Sequence, residues 1–326
     1  MAAQGSNHPG RSSFFSGQTL MVAMVYVLPV LIPALFGWMN MVLAVPAFYV
    51  LRVFGTREGT SLLRNGLLLA ALGALLLNQV GVFLFSLTML PLAYSLDRSA
   101  ALGEGPARAG ARGTITLALT WIAFWTIYGI TAGMNPYNHL LELLDAGFTQ
   151  TFEIYKSNTD LPAEVLLDLD RVISELKLLV PRILPGVLAC MVLMTVWMNM
   201  VAGNTLLLQR NPEKAPWAGY SGWRLPEQLV WLPIIALALT LIGQGRIRDA
   251  GICLLLVAGL VYFFQGLAVF IHLLERWKVP RYLRLVFYLL LIIQSYGLIL
   301  LAVLGIADVW IDFRRMGRND GQPGEE

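Results

Sequence analysis

Long stretches free of ionisable acids and bases alternate along this chain with short polar connectors. Seven windows contain no Asp, Glu, Lys or Arg: 18–51, 65–96, 113–141, 183–209, 228–245, 250–274 and 285–307. Helices on the surface of a soluble protein keep one polar face, so charge returns every turn or two. Blocks this long belong instead in hydrocarbon, whose core of about 30 Å takes about 20 helical residues. The first two windows exceed one crossing, and each is interrupted, at Gly37–Asn40 and at Asn78–Gln79. They predict two helical hairpins, 18–37 with 40–55 and 64–78 with 79–97. One crossing for each remaining window brings the total to nine. Segment 228–243 is short and carries Pro233, and if it is re-entrant the total is eight. The pattern defines an all-α, polytopic helical membrane protein with eight to nine transmembrane helices.

Segment 135–182 has a different periodicity. Tyr137, Leu140, Leu144, Phe148, Phe152 and Tyr155 recur at helical spacing, and so do Leu161, Val165, Leu169, Val172, Leu176 and Leu179. These predict two amphipathic helices broken near 157–160, with Pro162 in the opening turn of the second. Glu164, Asp168, Arg171 and Glu175 form the opposite stripe, spaced for i,i+3 and i,i+4 charge pairs. The pair is read as a lid on the outer face, with Glu164, Asp168 and Glu175 as its acidic edge, or as lying in the interface. The resulting boundaries are a polar tail 1–17, membrane hairpins and a fifth span 18–134, the amphipathic pair 135–182, C-terminal membrane helices 183–312 and a polar tail 313–326. The apolar run after the N-terminal tail is too long for a signal-peptide core and is read as a retained first span.

Charge sets the orientation. With the N-terminus inside, the connectors holding Arg52, Arg57 and Arg64, then Arg98, Arg108 and Arg112, then Arg210, Lys214 and Arg224, then Arg276, Lys278, Arg281 and Arg284 are all cytoplasmic, as the bias of basic residues requires. Nine spans leave Arg314, Arg315 and Arg318 outside; eight bring them in.

Composition removes several classes. Hydrophobic residues make up 57% of the 326 and charged ones 13%, against roughly 25% in soluble domains. Net charge is +3 with no basic stripe, so nucleic acid is not a partner. Cys190 and Cys253 both lie in apolar windows, which leaves no disulfide framework and suits buried small hydrophobes. A Walker A loop, His-Glu-x-x-His, Gly-x-Ser-x-Gly and paired cysteines are all missing. His8, His139 and His272 lie in separate regions. The expectation is therefore no enzyme, no metal and no cofactor.

Polar side chains inside the bilayer are costly and become the candidate binding residues. Gln265, His272 and Glu275 share one helix face. Gln294 lies in the last span, and Asp308 and Asp312 lie one turn apart at its end. Gln265, His272, Gln294, Asp308 and Asp312 are taken as possible binding residues, against the plainer reading of helix–helix hydrogen bonds and charged helix ends. Asn199 and Asn204 read as structural. Pro29, Pro33, Pro46 and Pro91 are expected to kink short helices, and irregular backbone at depth must line protein or water. Gly66, Ala70 and Ala74 make a small-residue face suited to close packing within the bundle.

The run Tyr262-Phe263-Phe264-Gln265-Gly266-Leu267-Ala268 through His272, then Pro280-Arg281, and the ending Leu304-Gly305-Ile306-Ala307-Asp308-Val309-Trp310-Ile311-Asp312-Phe313-Arg314 resemble the YybS-like family of uncharacterised bacterial membrane proteins. The proline-bearing first span, Arg52 and the glycine-rich returns over 18–208 look like the substrate-binding subunits of energy-coupling-factor vitamin transporters, and like the shape-determining protein MreD. On the first helix, Ala23 and Ala34 are eleven apart, where the vitamin binders carry a small-residue coupling motif. The resemblances imply a multi-pass protein of the bacterial cytoplasmic membrane. Its partners would be the lipid bilayer and separate membrane or ATPase subunits. One implied role is a small-molecule-binding transporter subunit; the other is a non-catalytic envelope scaffold.

Overall fold

The computed structural model describes residues 16–157 and 162–311. Among the described residues every regular element is helical, in the all-α class the windows predict. Five helices are long and apolar enough to cross a bilayer: Ala44–Leu76, Val80–Ala101, Pro106–Ala132, Ala163–Arg210 and Arg246–Arg276. Two bent pairs, Gly17–Leu31 with Pro33–Val42 and Arg281–Leu291 with Tyr296–Ile311, raise the number to seven if each is one span. The expected eight or nine differ because Ala44–Leu76, which holds two of the predicted spans, joins two helices at Gly55, and because 227–242 is a shorter apolar helix. The chain divides into two compact units, 1–121 with 195–219 and 122–194 with 220–326.

In the first unit, helix α1 (Gly17–Leu31) starts at Ser16, whose hydroxyl accepts the Thr19 N–H at 3.2 Å. It ends where Pro33 forces Ile32 out of the helical region, to φ −138° and ψ 84°. The chain then turns through α2 (Pro33–Phe36) and a tighter turn, Gly37–Val42, bent 107° from α1. That is the interruption read at Gly37–Asn40. Helix α3 (Ala44–Leu76) bends at Gly55, where φ of +79° is open to glycine and strained for other residues. Its arms fold back on each other so closely that a Cβ at Gly59 would sit 3.0 Å from the Val50 carbonyl. The basic residues at 52–64 mark this reversal, and the backbone stays helical on both sides of Gly55.

The small-residue face packs within the unit. A Cβ at Gly66 would lie 2.6 Å from Val22, and Ala70 and Ala74 are buried. Asn78 turns the chain at φ +53°, as the second interruption predicts, into α4 (Val80–Leu87) and α5 (Leu90–Ala101). Pro91 sits in the first turn of α5, where its missing N–H costs nothing, so it starts a helix rather than kinking one. Helix α6 (Pro106–Ala132) contributes residues to both units. The first unit's interior is filled by Tyr26, Phe48, Leu51, Leu63, Met89 and Leu92.

In the second unit, α7 (Pro136–Lys156) is capped by Asn135, whose side chain accepts the amides of Tyr137 and Asn138. Helix α8 (Ala163–Arg210) runs unbroken through the boundary expected at 182/183, past Pro181 and Pro185. Arg182 marks where charge stops, but a helix hydrogen-bonds itself equally well on either side of that level, so the helix continues. Part of α8, 195–210, belongs to the first unit. The second unit continues with α9 (Trp231–Ile242), α10 (Arg246–Arg276), α11 (Arg281–Ile293) and α12 (Ser295–Ile311). The last charge-free window is therefore two helices bent by 106° rather than one straight span. α10 and α12 cross antiparallel on two glycines: a Cβ at Gly266 would overlap the Leu301 carbonyl, and one at Gly305 that of Tyr262.

Candidate functional site

Of the residues singled out from sequence, the structure brings Gln265 and Asp308 together. The Gln265 Nε2 donates to Asp308 Oδ2 at 2.7 Å, both side chains buried, beside the glycine crossing of α10 and α12. The other end of the amide, Oε1, accepts the Leu225 N–H at 3.1 Å, and one residue earlier the Tyr220 hydroxyl donates to the Phe264 carbonyl at 2.6 Å. Gln265 thus ties two helices and the 220–225 turn together. His272 lies two turns further along α10, about 10 Å away along the axis, and is half-buried. Gln294 is exposed at the break between α11 and α12, its amide N–H donating to the Leu290 carbonyl. Asp312 lies outside the described residues.

Of the acidic stripe, Glu164 and Asp168 are exposed, and Glu175 pairs with Arg171 at 3.3 Å, also exposed. The contacts between α7 and α8 come from other residues. Lys177 reaches Asp145 at 2.9 Å and Thr149 at 2.7 Å. The Tyr137 hydroxyl meets the Pro181 carbonyl at 3.5 Å. Pro185 has no N–H to give that carbonyl, so the tyrosine fills a bond the helix has lost. A hollow of about 430 Å³ lies here, lined by Leu141, Asp145, Phe148, Lys177 and Pro181 among others.

The larger concavity, about 660 Å³, is a groove between α8 and α10 within the second unit. Its floor exists because Gly186 lets the helices touch: a Cβ there would be 2.8 Å from Cys253 Cα. Cys253 Sγ also faces the Arg182 carbonyl at 3.4 Å. At one end the groove is charged, with Arg182 and Arg246 exposed and Asp249 half-buried. Pro185, Ala189, Leu254 and Val257 line the rest. Glu164, Asp168 and Glu175 are not among the lining residues. Two guanidiniums beside an apolar wall are chemically suited to an amphiphilic or anionic ligand. Sequence reasoning passed it over because periodicity along one helix does not say which other helix lies beside it.

A second polar constellation that sequence reasoning did not assemble sits in the first unit. Arg52 pairs with Asp97 at 3.6 Å and donates to the Lys214 carbonyl at 3.3 and 3.4 Å. Asn211 Nδ2 donates to the Tyr49 hydroxyl at 2.7 Å. Asn204 holds Trp217 from both sides, donating to its carbonyl at 3.1 Å and accepting its N–H at 3.3 Å. Trp217 in turn stacks on Phe48 and donates its indole N–H to the Glu104 carbonyl at 2.8 Å. Arg52 and Asn204 hold the backbone at Lys214 and Trp217 while the side chains of Asn211 and Trp217 are held in turn, so the cluster is a clamp on 211–219. Higher in the unit, Asn199 donates to the carbonyls of Met41 and Thr195, and Tyr26 to that of Leu43. Asn199 and Asn204 are thus structural, as read. Among the described residues no group of His, Cys, Asp and Glu is placed to hold a metal ion.

Broken apolar helices, buried amide clamps and a groove with a charged mouth define a polytopic helical membrane protein. The family model described as "predicted membrane protein (DUF2232)" matches residues 20–309. The chain belongs to that family, a family without an assigned function, in keeping with the YybS-like resemblance. No curated protein and no solved structure matches it.

Proposed function

We propose that this protein is a non-catalytic binding component of a bacterial cytoplasmic membrane, taking a small molecule into the groove between α8 and α10 and working with separate subunits, in the manner of a transporter's binding protein. The observation that carries the reading is the groove itself. Its volume of about 660 Å³ falls within the roughly 300–1,000 Å³ of small-molecule sites, and it combines apolar walls with a few charged groups at one end. In the nine-span reading with the N-terminus inside, Arg182 and Arg246 fall at the outer edge of the membrane, where a ligand arrives.

Detergent-purified protein is the material for the test. Native mass spectrometry is expected to find a ligand carried through purification, or thermal shift against a vitamin and metal panel to find one that stabilises. Ala189→Trp, which fills the groove, abolishes that signal. No ligand by either method, or binding indifferent to Ala189→Trp, overturns the reading.

A scaffold of the MreD kind is favoured by a different observation. Leu143, Ile154 and Leu167 lie on the charged amphipathic helices, outside the charge-free windows, and are 57%, 62% and 71% exposed. Apolar side chains so placed suit a partner surface. Cross-linking followed by pull-down returns a stable membrane partner if this reading holds.

A further inference from the structure

We infer that the occupant of the α8–α10 groove is an anionic phospholipid, its phosphate on Arg182 and Arg246 and an acyl chain along the apolar floor; the inference rests on the binding role proposed above. The charge in the groove is graded along its length. Arg182 is the residue immediately before the charge-free window of α8, and Arg246 and Asp249 stand immediately before that of α10. Beyond them every lining residue is apolar or small.

From Arg246 to Val257 the groove runs about 16 Å along α10, at about 1.5 Å per residue. That is roughly the depth of one leaflet of a core of about 30 Å. A free anion would use the mouth and gain nothing from this wall. A neutral apolar ligand would leave two arginines unused. Two guanidiniums against one carboxylate leave a single net positive charge, which complements a phosphodiester. The guanidinium is also the side chain whose fork matches phosphate oxygens. The floor is made of Gly186, Ala189, Ala250 and Cys253, whose small side chains let the helices meet and leave a shallow trough above the contact for a chain to lie in.

The probes are phosphatidylglycerol, phosphatidylcholine and inorganic phosphate, each titrated into the full-length protein in neutral detergent. Binding is read by native mass spectrometry and melting temperature. Phosphatidylglycerol is expected to bind roughly twenty-five-fold more tightly than phosphatidylcholine, from about a fivefold contribution of each arginine. The Arg182→Gln/Arg246→Gln double variant removes most of that preference. Asp249→Asn, which deletes the opposing charge, strengthens phosphatidylglycerol binding, and this gain keeps the test decisive if the double variant does not fold. Equal binding of the two lipids overturns the inference, and so does a full melting shift from inorganic phosphate alone. If neither lipid binds while a panel compound does and Ala189→Trp abolishes it, the lipid assignment fails and the binding role stands. If Ala189→Trp leaves all binding untouched, both fall.

Discussion

The two units answer one physical problem differently. In lipid, apolar side chains gain little by leaving acyl chains for protein, so helix association depends on close packing and on hydrogen bonds. The first unit is built from interrupted helices, and side chains repair the breaks. Asn199 and Tyr26 serve the carbonyls exposed around the turn at 37–43, and Arg52 and Asn204 serve those of 211–219. In the second unit α8 and α10 run long, α8 stays whole through two prolines, and glycines set them against their neighbours. One design spends polar side chains on irregular backbone; the other removes side chains so that regular backbones can touch. Substitutions should divide accordingly.

The largest effect is expected where backbone meets backbone. Gly305→Val would drive side-chain atoms into the Tyr262 carbonyl, and Gly266→Val into that of Leu301; neither obstacle is a side chain that could turn away. Overpacking of a tight core costs typically 1–3 kcal/mol, and this case belongs at or beyond the upper end, about 3 kcal/mol. Unfolding in a graded detergent mixture measures it. A loss below about 1 kcal/mol would mean the two helices part easily and that the second unit is not held by this crossing.

Next comes the repair chemistry. Asn199→Leu keeps the branched outline, in a somewhat larger side chain, but removes the donor to the Met41 and Thr195 carbonyls at a fully buried position. Leaving a buried acceptor unsatisfied costs about 1–3 kcal/mol. The same unfolding assay should place this variant below wild type and above the glycine variants. Asn199→Ala falls further, by the additional lost packing.

Much of this was legible in the sequence, and the reasons are specific. Charge-free length predicts hydrocarbon burial directly, so the apolar windows found helices. The run Gly37-Trp38-Met39-Asn40 predicted the interruption at 37–40, and Asn78 turns the chain where the second window was expected to break. The small face at Gly66, Ala70 and Ala74 was readable because three residues on one helix stripe carry their own geometry.

What periodicity cannot convey is partnership between distant segments. Gly186 with Cys253, Arg52 with Asp97 and Gln265 with Asp308 are each set by which helices end up adjacent. Charge did not mark every helix end. Arg182 lies inside a continuous helix, whereas the charged stretch 52–64 coincides with the reversal at Gly55 that joins the two helices of α3. The acidic stripe at Glu164, Asp168 and Glu175 looked like a site because it was periodic. In the structure the three acidic side chains are exposed, and the polar α7–α8 contacts come from Lys177 and Tyr137.

The clamp on 211–219 gives a smaller and more local effect. Arg52 is mostly buried, and its guanidinium holds both Asp97 and the Lys214 carbonyl. Arg52→Met retains the apolar stem and loses the donors, at a cost of about 1–2 kcal/mol for charge-assisted bonds of this length. The sharper readout is proteolysis. Lys214 lies within the secured segment, so trypsin should cut after it several times faster in Arg52→Met than in wild type. Unchanged cleavage would show that Asn204 and Trp217 secure the segment unaided.

The smallest effect is expected at the outer stripe. Arg171 and Glu175 form an i,i+4 pair with side chains 80% and 70% exposed. Exposed helix pairs of this spacing are worth about 0.3–0.5 kcal/mol, and salt screens them. Glu175→Gln should therefore lower stability by less than about 0.5 kcal/mol, and the difference from wild type should shrink further in high salt. Lys177→Met, two residues further along the same helix, breaks contacts to Asp145 and Thr149 that join α7 to α8. It should loosen α7 measurably, seen as faster amide exchange over 136–156, where Glu175→Gln leaves exchange unchanged. Equal exchange in the two variants would mean that the ion pair along α8 and the contact across to α7 contribute alike, and that α7 and α8 are held by their apolar faces alone.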